Sequence, residues 1–194
     1  PIGLKLKRMG KKVIFDAHED FPQQLLGKPY LIKPLKLVLS KLFGVCERIA
    51  LPKFDAIVCA TPFIRDKMLS INPNSVDINN YPLLDELTCS SGWSDKKNEV
   101  AYVGSISKIR GVSEVVSALS YTRGVRLNLA GKFSQATFEA EVKSLQAWGE
   151  VTELGFLTRE QVKKTLANSK AGLVTLHPAI NYLDSLPVKM FEHM

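Results

Sequence analysis

The stretch Glu99–Val112, EVAYVGSISKIRGV, decides how the rest of the chain is read. Its first five residues are short, apolar and β-prone, Gly104 ends them, and Gly111-Val112 opens a helical pattern. Strand, glycine-bounded turn and helix make the leading half of a βαβ unit, the building block of parallel sheets covered by helices. The turn also brings backbone N–H groups to the start of a helix, a geometry that suits an anion.

Outward from this stretch the alternation continues. Toward the C-terminus, Val125–Ala130 reads as a strand ending in Gly131-Lys132, and Ser134 as the cap of a helix through Trp148. Val151–Leu154 is a strand, and Thr158-Arg159-Glu160-Gln161 is a capping box opening a helix to about Asn168. Ala171–Leu176 is another buried strand, and Pro187 stands where a last helix starts. Toward the N-terminus, residues 81–98 lack periodicity and read as an interdomain linker. Before them come a buried strand Lys12–Ala17, a helix Leu31–Leu51, a buried strand Asp55–Ala60, a helix from Thr61-Pro62 to Leu69, and a strand Val76–Asn79. The expected fold class is therefore α/β with two Rossmann-like parallel-sheet domains, residues 1–80 and 99–194. Each half offers few strands, and the last helix spans barely two turns, so both domains are expected to be incomplete.

Composition narrows the function classes. At 45% hydrophobic and 23% charged, the 194-residue chain has a globular balance. No apolar run approaches the ~20 residues that span a bilayer, and PIGLKLKRMGKK lacks the apolar core of a secretory signal. Cys46, Cys59 and Cys89 are too scattered for a disulfide framework, and no Cys or His spacing forms a metal cage. A reducing cytoplasm is the expected location. The net charge of +7 points to anionic partners, among them phosphorylated small molecules and lipid headgroups. Nucleic acid is not expected, because no recognition motif for it is present. Lys28, Lys33, Lys36, Lys41, Arg48 and Lys53 accompany the apolar helix Leu31–Leu51. A peripheral membrane contact at the inner face and a core-facing helix with a solvated basic side both fit that pattern.

Parallel sheets place ligands beyond the carboxyl ends of their strands. That rule selects His18, the Gly104–Gly111 turn, Gly131-Lys132 and the segment after Leu176, including His177. The segments DAHED (16–20), FDAIVCATPFIRDKM (54–68), VAYVGSISKIRGV (100–112), LNLAGKF (127–133), LGFLTREQV (154–162) and LPVKMFEHM (186–194) then follow one another in an order that resembles retaining glycosyltransferases of the GT-B fold, in the family numbered four. The resemblance covers nearly the whole chain and is carried by the ensemble, each segment being weak alone.

What the resemblance implies is specific. That family has a pair of glutamates separated by seven residues around the start of a helix; here Glu192 matches the second, and the first position holds Asp184, one methylene shorter. The second would accept hydrogen bonds from ribose hydroxyls, work that suits a carboxylate. Gly104 would bring backbone to the donor diphosphate, with Arg110, Lys108, Lys132 and Lys189 as candidate cations. Ser105 departs from the basic residue usual after that glycine, and Lys108 is the nearest replacement. His18 would stand on the acceptor side as a donor to the sugar, and His18, Arg110 and Lys189 form the candidate catalytic set. His193 reads as an exposed helix residue. For each cation and acid the alternative is a solvated surface residue.

The implied activity is sugar transfer, with retention, from a nucleoside-diphosphate sugar to a glycan or lipid-linked acceptor, as in polysaccharide biosynthesis. The nucleotide sugar is a substrate, and neither a cofactor nor a metal is implied. Two alternatives stay open: a GT-B-fold sugar-nucleotide epimerase, and a non-catalytic sugar-nucleotide-binding remnant acting as an interaction module. If the domains are incomplete, the 194-residue chain by itself is expected to bind nucleotide weakly or not at all and to transfer no sugar.

Overall fold

The computed structural model describes residues 2–28, 30–87, 92–180, 182–183 and 185–193. They divide into two compact units, one of residues 1–80 with 178–186, the other of 81–177 with 187–194.

In the first unit, α1 (Ile2–Arg8) precedes β1 (Ile14–Ala17), α2 (Phe21–Leu26) and α3 (Lys33–Ala50); β2 (Ala56–Cys59), α4 (Pro62–Leu69) and β3 (Ser75–Asp77) follow. The strands form a parallel sheet in the order β1-β2-β3, with Ile14 opposite Ala56 and Ile57 opposite Ser75. Asp55 ties the sheet to its entry: its carboxylate accepts from the Val13 N–H and from Lys7, and faces Lys12 at 3.3 Å. Those bonds hold it well below the usual carboxylate range. The cap of α4 is the one its sequence implies, the Thr61 hydroxyl accepting from the Ile64 N–H ahead of Pro62.

The core of this unit is small: Ala17, Leu51, Ile57, Cys59, Ile64 and Met68. One expectation fails beside it. β1 is not a buried strand but an exposed edge, with only Ala17 inside. Helix α3 forms, yet none of the residues Lys33–Ala50, all of them described, is buried. It rests on α2 through an edge-to-face contact of Phe21 and Phe43, ring centroids 4.7 Å apart.

In the second unit, α5 (Leu84–Leu87) precedes β4 (Lys97–Val103), α6 (Val112–Ala118), β5 (Arg126–Ala130) and α7 (Ala136–Lys143); β6 (Val151–Gly155), α8 (Arg159–Asn168), β7 (Ser169–Gly172) and α9 (Val188–Glu192) complete it. Its parallel sheet runs β6-β5-β4-β7, so β4 sits inside it, and Ala101 and Tyr102 are fully buried. Helices α6 and α7 cover the sheet through Val112, Val116, Phe138 and Val142, which meet Leu127 and Leu129. Each such side chain contributes about 1.5–3 kcal/mol on burial.

Three boundaries differ from the sequence reading. Gln135 rather than Ser134 caps the helix, and the Ser134 N–H donates to the Ile106 carbonyl in the turn before it. That helix stops at Lys143, where the Ser144 hydroxyl bonds back to the Glu141 carbonyl and Leu145 turns extended. The strand expected at Ala171–Leu176 is Ser169–Gly172; the Leu173 N–H still donates to the Ala101 carbonyl of β4, and beyond it the chain turns to the loop after β4, where the His177 N–H reaches the Ile109 carbonyl. The capping box at Thr158 is present, with Gln161 reciprocating. Thr158→Ala is expected to lower stability by about 1 kcal/mol, read as a shift in the urea midpoint at constant slope.

Candidate functional site

At the carboxyl ends of β4 and β5 two loops are laced together. The Gly104 N–H donates to Ala130 O, Ile106 N–H to Lys132 O, and Ser134 N–H to Ile106 O, each at 2.9 Å. Lacing this close needs glycine at both corners. Gly104 and Gly131 have φ of 137° and 144°, and a Cβ on Gly131 would lie 1.8 Å from the Gly104 carbonyl oxygen. Beyond Gly104 the chain makes a 3-10 turn over Lys108–Arg110, then Gly111 in the left-handed region, then α6. The segment after β7 braces that turn, as the Thr175 hydroxyl donates to Arg110 O at 2.8 Å and the His177 ring meets Glu114 at 3.0 Å.

Helix α9 supplies the charge. Lys189 carries its ammonium over the Tyr102 ring, 4.5 Å from the centroid, and beside Gly104, where a Cβ would come within 3.2 Å of Nζ. The Tyr102 hydroxyl donates to the Ser105 carbonyl, which fixes the ring under the loop. Lys189 Nζ is buried and has no hydrogen-bond partner among the described residues. Burial, reinforced by the nearby Arg110 guanidinium and opposed by Glu192, pushes its pKa down to about 8. A desolvated ammonium that feels a second cation is a candidate site for an anion.

Glu192 lies one turn further along α9, with its side chain only 13% exposed. Its Oε1 accepts from Arg159 at 2.7 Å, and the same guanidinium bonds Glu86 at 2.9 Å. Arg159, the first residue of α8, thereby holds the carboxylate from its far side, and the two acids raise its pKa further. The sequence reading missed Arg159: it stands inside the capping box, a signal used only to start a helix. It also missed Tyr102, whose strand position announced core and whose ring is the floor under Lys189. Tyr81 pins α9 from another direction, its ring meeting Phe191 edge-on at 4.8 Å. His193, expected to be exposed, is half-buried where Gly172 leaves room for its ring; burial first, then the Lys189 cation, lower its pKa.

Beside the cations opens a pocket of about 410 Å³, lined by Val103, Gly104, Gly131, Phe133, Phe156 and Leu157 among others. The walls are mostly apolar, as in pockets that hold a flat organic group. Lys132 stands at its rim, exposed, 6.0 Å over the Phe156 ring.

The candidate residues thus separate. Gly104, Arg110 and Lys189 come together, with Glu192 adjacent on the same helix. Lys108 is exposed and turns toward Glu141 at 3.8 Å, so it does not replace the charge absent at Ser105. His18 belongs to the other unit, exposed at the end of β1 with Nε2 3.1 Å from Asp16. Asp184 lies outside the described residues.

No protein-family model matches this sequence, and no curated protein matches it. Solved structures do. WaaG, described as a glycosyltransferase involved in lipopolysaccharide biosynthesis, superposes with a TM-score of 0.65 at 14% identity, covering 99% of this chain and 59% of its own. Sucrose-phosphate synthase from Thermosynechococcus elongatus gives 0.65 at 16%, covering 99% of this chain and 50% of its own. HepE from Anabaena, in complex with UDP and glucose, gives 0.59 at 13%, covering 90% and 49%. The chain spans about half the length of these structures. At such identities the likeness establishes the fold, and that fold is the one its sequence implied: α/β, with two parallel-sheet units of the GT-B class.

Proposed function

We propose that the second unit binds the nucleoside diphosphate of a nucleotide sugar, and that the chain is the core of a retaining glycosyltransferase. The observation that carries this reading is Lys189: a buried ammonium without a hydrogen-bond partner among the described residues, beside Arg110 and a glycine corner at a sheet's carboxyl edge. Structures sharing the fold support it, since HepE has been solved in complex with UDP and with UDP-glucose.

In this reading the diphosphate lies against Gly104, between Lys189 and Arg110. Glu192 keeps Oε1 on Arg159 and offers Oε2 to the ribose diol, and the apolar pocket takes the base. As the bond between sugar and diphosphate oxygen breaks, charge grows on the leaving group, and the two cations stabilise it most at that point. The same leaving group takes up the acceptor's proton on the face it departs from, which gives retention. His18 on the acceptor side is assigned to hydrogen-bond the sugar. The acceptor is a glycan or lipid-linked sugar, and the site of action is the cytoplasm.

The lowered pKa of Lys189 supplies a test. Below pH about 8 the ammonium is charged and ready for the diphosphate; above it, binding must first recruit a proton. UDP affinity is therefore expected to level off between pH 7 and 8 and to fall by up to about tenfold per unit above that. Uridine affinity should stay flat. Calorimetry in two buffers of different ionisation enthalpy at pH 8.5 should show a proton taken up with UDP only. Equal pH profiles for the two ligands would contradict the assignment. In the free protein the sign is the reverse: between pH about 8 and 10.5 the unfolded chain holds a proton that folded Lys189 has released, so its contribution to stability rises with pH.

A further inference from the structure

Lys189 and Glu192 stand three residues apart on α9, the spacing at which a lysine and a glutamate of one helix meet. They do not pair. Lys189 Nζ has no hydrogen-bond partner among the described residues, while Glu192 Oε1 accepts from Arg159 at 2.7 Å. The carboxylate is nonetheless within electrostatic reach of the ammonium, because its charge opposes the burial that lowers the pKa of Lys189. An acid able to neutralise Lys189 is thus directed away from it.

Three features make that arrangement firm. Arg159 is the first residue of α8, placed by the Thr158 capping box. Its Nη2 meets Glu192 on one side and Glu86 of α5, at 2.9 Å, on the other, and both acids raise its pKa, so the guanidinium stays charged. Tyr81 holds the neighbouring face of α9 by its edge-on contact with Phe191. Without Arg159 the Glu192 side chain, only 13% exposed, would have little water to turn to and would need another cation. The one its own helix supplies is Lys189. Such a pair carries no net charge, and Arg110 alone would then be left to attract an anion.

We propose that Arg159 is a positioning residue of the anion site: it withholds Glu192 from Lys189 and so keeps the ammonium unpaired until a diphosphate arrives. The arrival of a diphosphate rests on the function proposed above; the withholding of Glu192 does not. The groups that face Lys189 are Arg110 from the turn before α6, Tyr102 from β4, and Glu192 and His193 from α9. His193, its pKa lowered by burial from an ordinary 6.5, is neutral above pH 7. Of these groups only Glu192 is released by a change at Arg159.

The experiment is an NMR titration of the Lys189 side chain in the full chain labelled with ¹³C,¹⁵N-lysine, without ligand, the signal being assigned by its loss in Lys189→Met. The wild-type midpoint is expected at about 8. Arg159→Gln should raise that midpoint by at least about one pH unit as Glu192 closes on the ammonium, and adding Glu192→Gln should return it to the wild-type value or below. Arg159→Lys, which keeps a cation there but no fork to span both acids, should raise it by about half as much, and it serves in place of Arg159→Gln if that variant does not fold. Pyrophosphate is the companion probe, since it offers no ribose to Glu192. By calorimetry at about pH 7.5, Arg159→Gln should weaken it by at least about tenfold, and the double variant should bind within about threefold of wild type. A lower melting temperature with an unmoved Lys189 midpoint would make Arg159 a structural residue and overturn the proposal. So would a loss of pyrophosphate binding that Glu192→Gln does not restore. A midpoint that rises in Arg159→Gln, in a chain whose wild type binds no pyrophosphate, would support the withholding of Glu192 and contradict the diphosphate reading.

Discussion

Gly131→Ala is expected to destabilise the second unit by about 2–6 kcal/mol, enough to unfold a marginal domain. Two costs add. The native φ of 144° strains any L side chain, at about 1–3 kcal/mol. The new methyl would also sit 1.8 Å from the Gly104 carbonyl oxygen and 2.8 Å from its carbon, so backbone must move, at a further 1–3 kcal/mol, roughly. The atom in the way is not a flexible side chain that can turn aside. It belongs to the corner that shapes the anion site, so any protein that does fold should also bind nucleoside diphosphate poorly. Gly149→Ala is the control: its Cβ would meet nothing within 4 Å, and the change is expected to stay within about 0.5 kcal/mol. Urea unfolding of the two variants checks this, and a Gly131→Ala protein as stable as wild type would show that the two corners are not in contact.

The second large effect belongs to Lys189, and it runs in opposite directions for binding and stability. Lys189→Met, one atom shorter, keeps much of the side chain's packing on Tyr102 while removing a desolvated charge. Stability at pH 7 should rise, by about 1 kcal/mol or more. Affinity for UDP should fall by about 10- to 100-fold, the equivalent of one charged hydrogen bond at 1.5–3 kcal/mol. Uridine affinity should not change. A solvated lysine would show neither effect, and a structural one would lose stability. The pairing of signs therefore separates an anion site from both alternatives.

The difference between what the sequence disclosed and what it concealed has a physical basis. Period and caps are local, so they carried the strands around Gly104 and Gly131, the α4 cap and the Thr158 capping box to within a residue or two. Burial is not local. The periodicity of α3 promises an apolar face but says nothing of where the face points, and the three strands beside it provide too small a core to receive it. The short helices Ile2–Arg8 and Phe21–Leu26 escaped notice because six or seven residues hold too few turns to show a period.

The site divides along the same line. Gly104 could be named because it ends a strand, whereas Arg110, Lys189 and Glu192 came from the family resemblance. Arg159 comes to Glu192 from 33 positions earlier in the chain, and Tyr102 reaches Lys189 across 87, contacts no local pattern records. Conversely, Lys108 looked like a replacement for the charge missing at Ser105, but in the 3-10 turn it shares with Arg110 it is exposed and lies 3.8 Å from Glu141.

The proposed docking of a diphosphate between Gly104, Arg110 and Lys189 can be read residue by residue. Its most direct test is an NMR titration of the ¹⁵N-labelled chain with UDP, ADP and GDP to about 10 mM, a range that registers even millimolar affinity, with uridine in parallel. The account predicts saturable shifts for the diphosphates at the amides of Gly104, Ser105, Arg110, Gly111 and the α9 residues, absent in Lys189→Met. No shift with any of the three diphosphates, or the same shifts with uridine as with UDP, would contradict it.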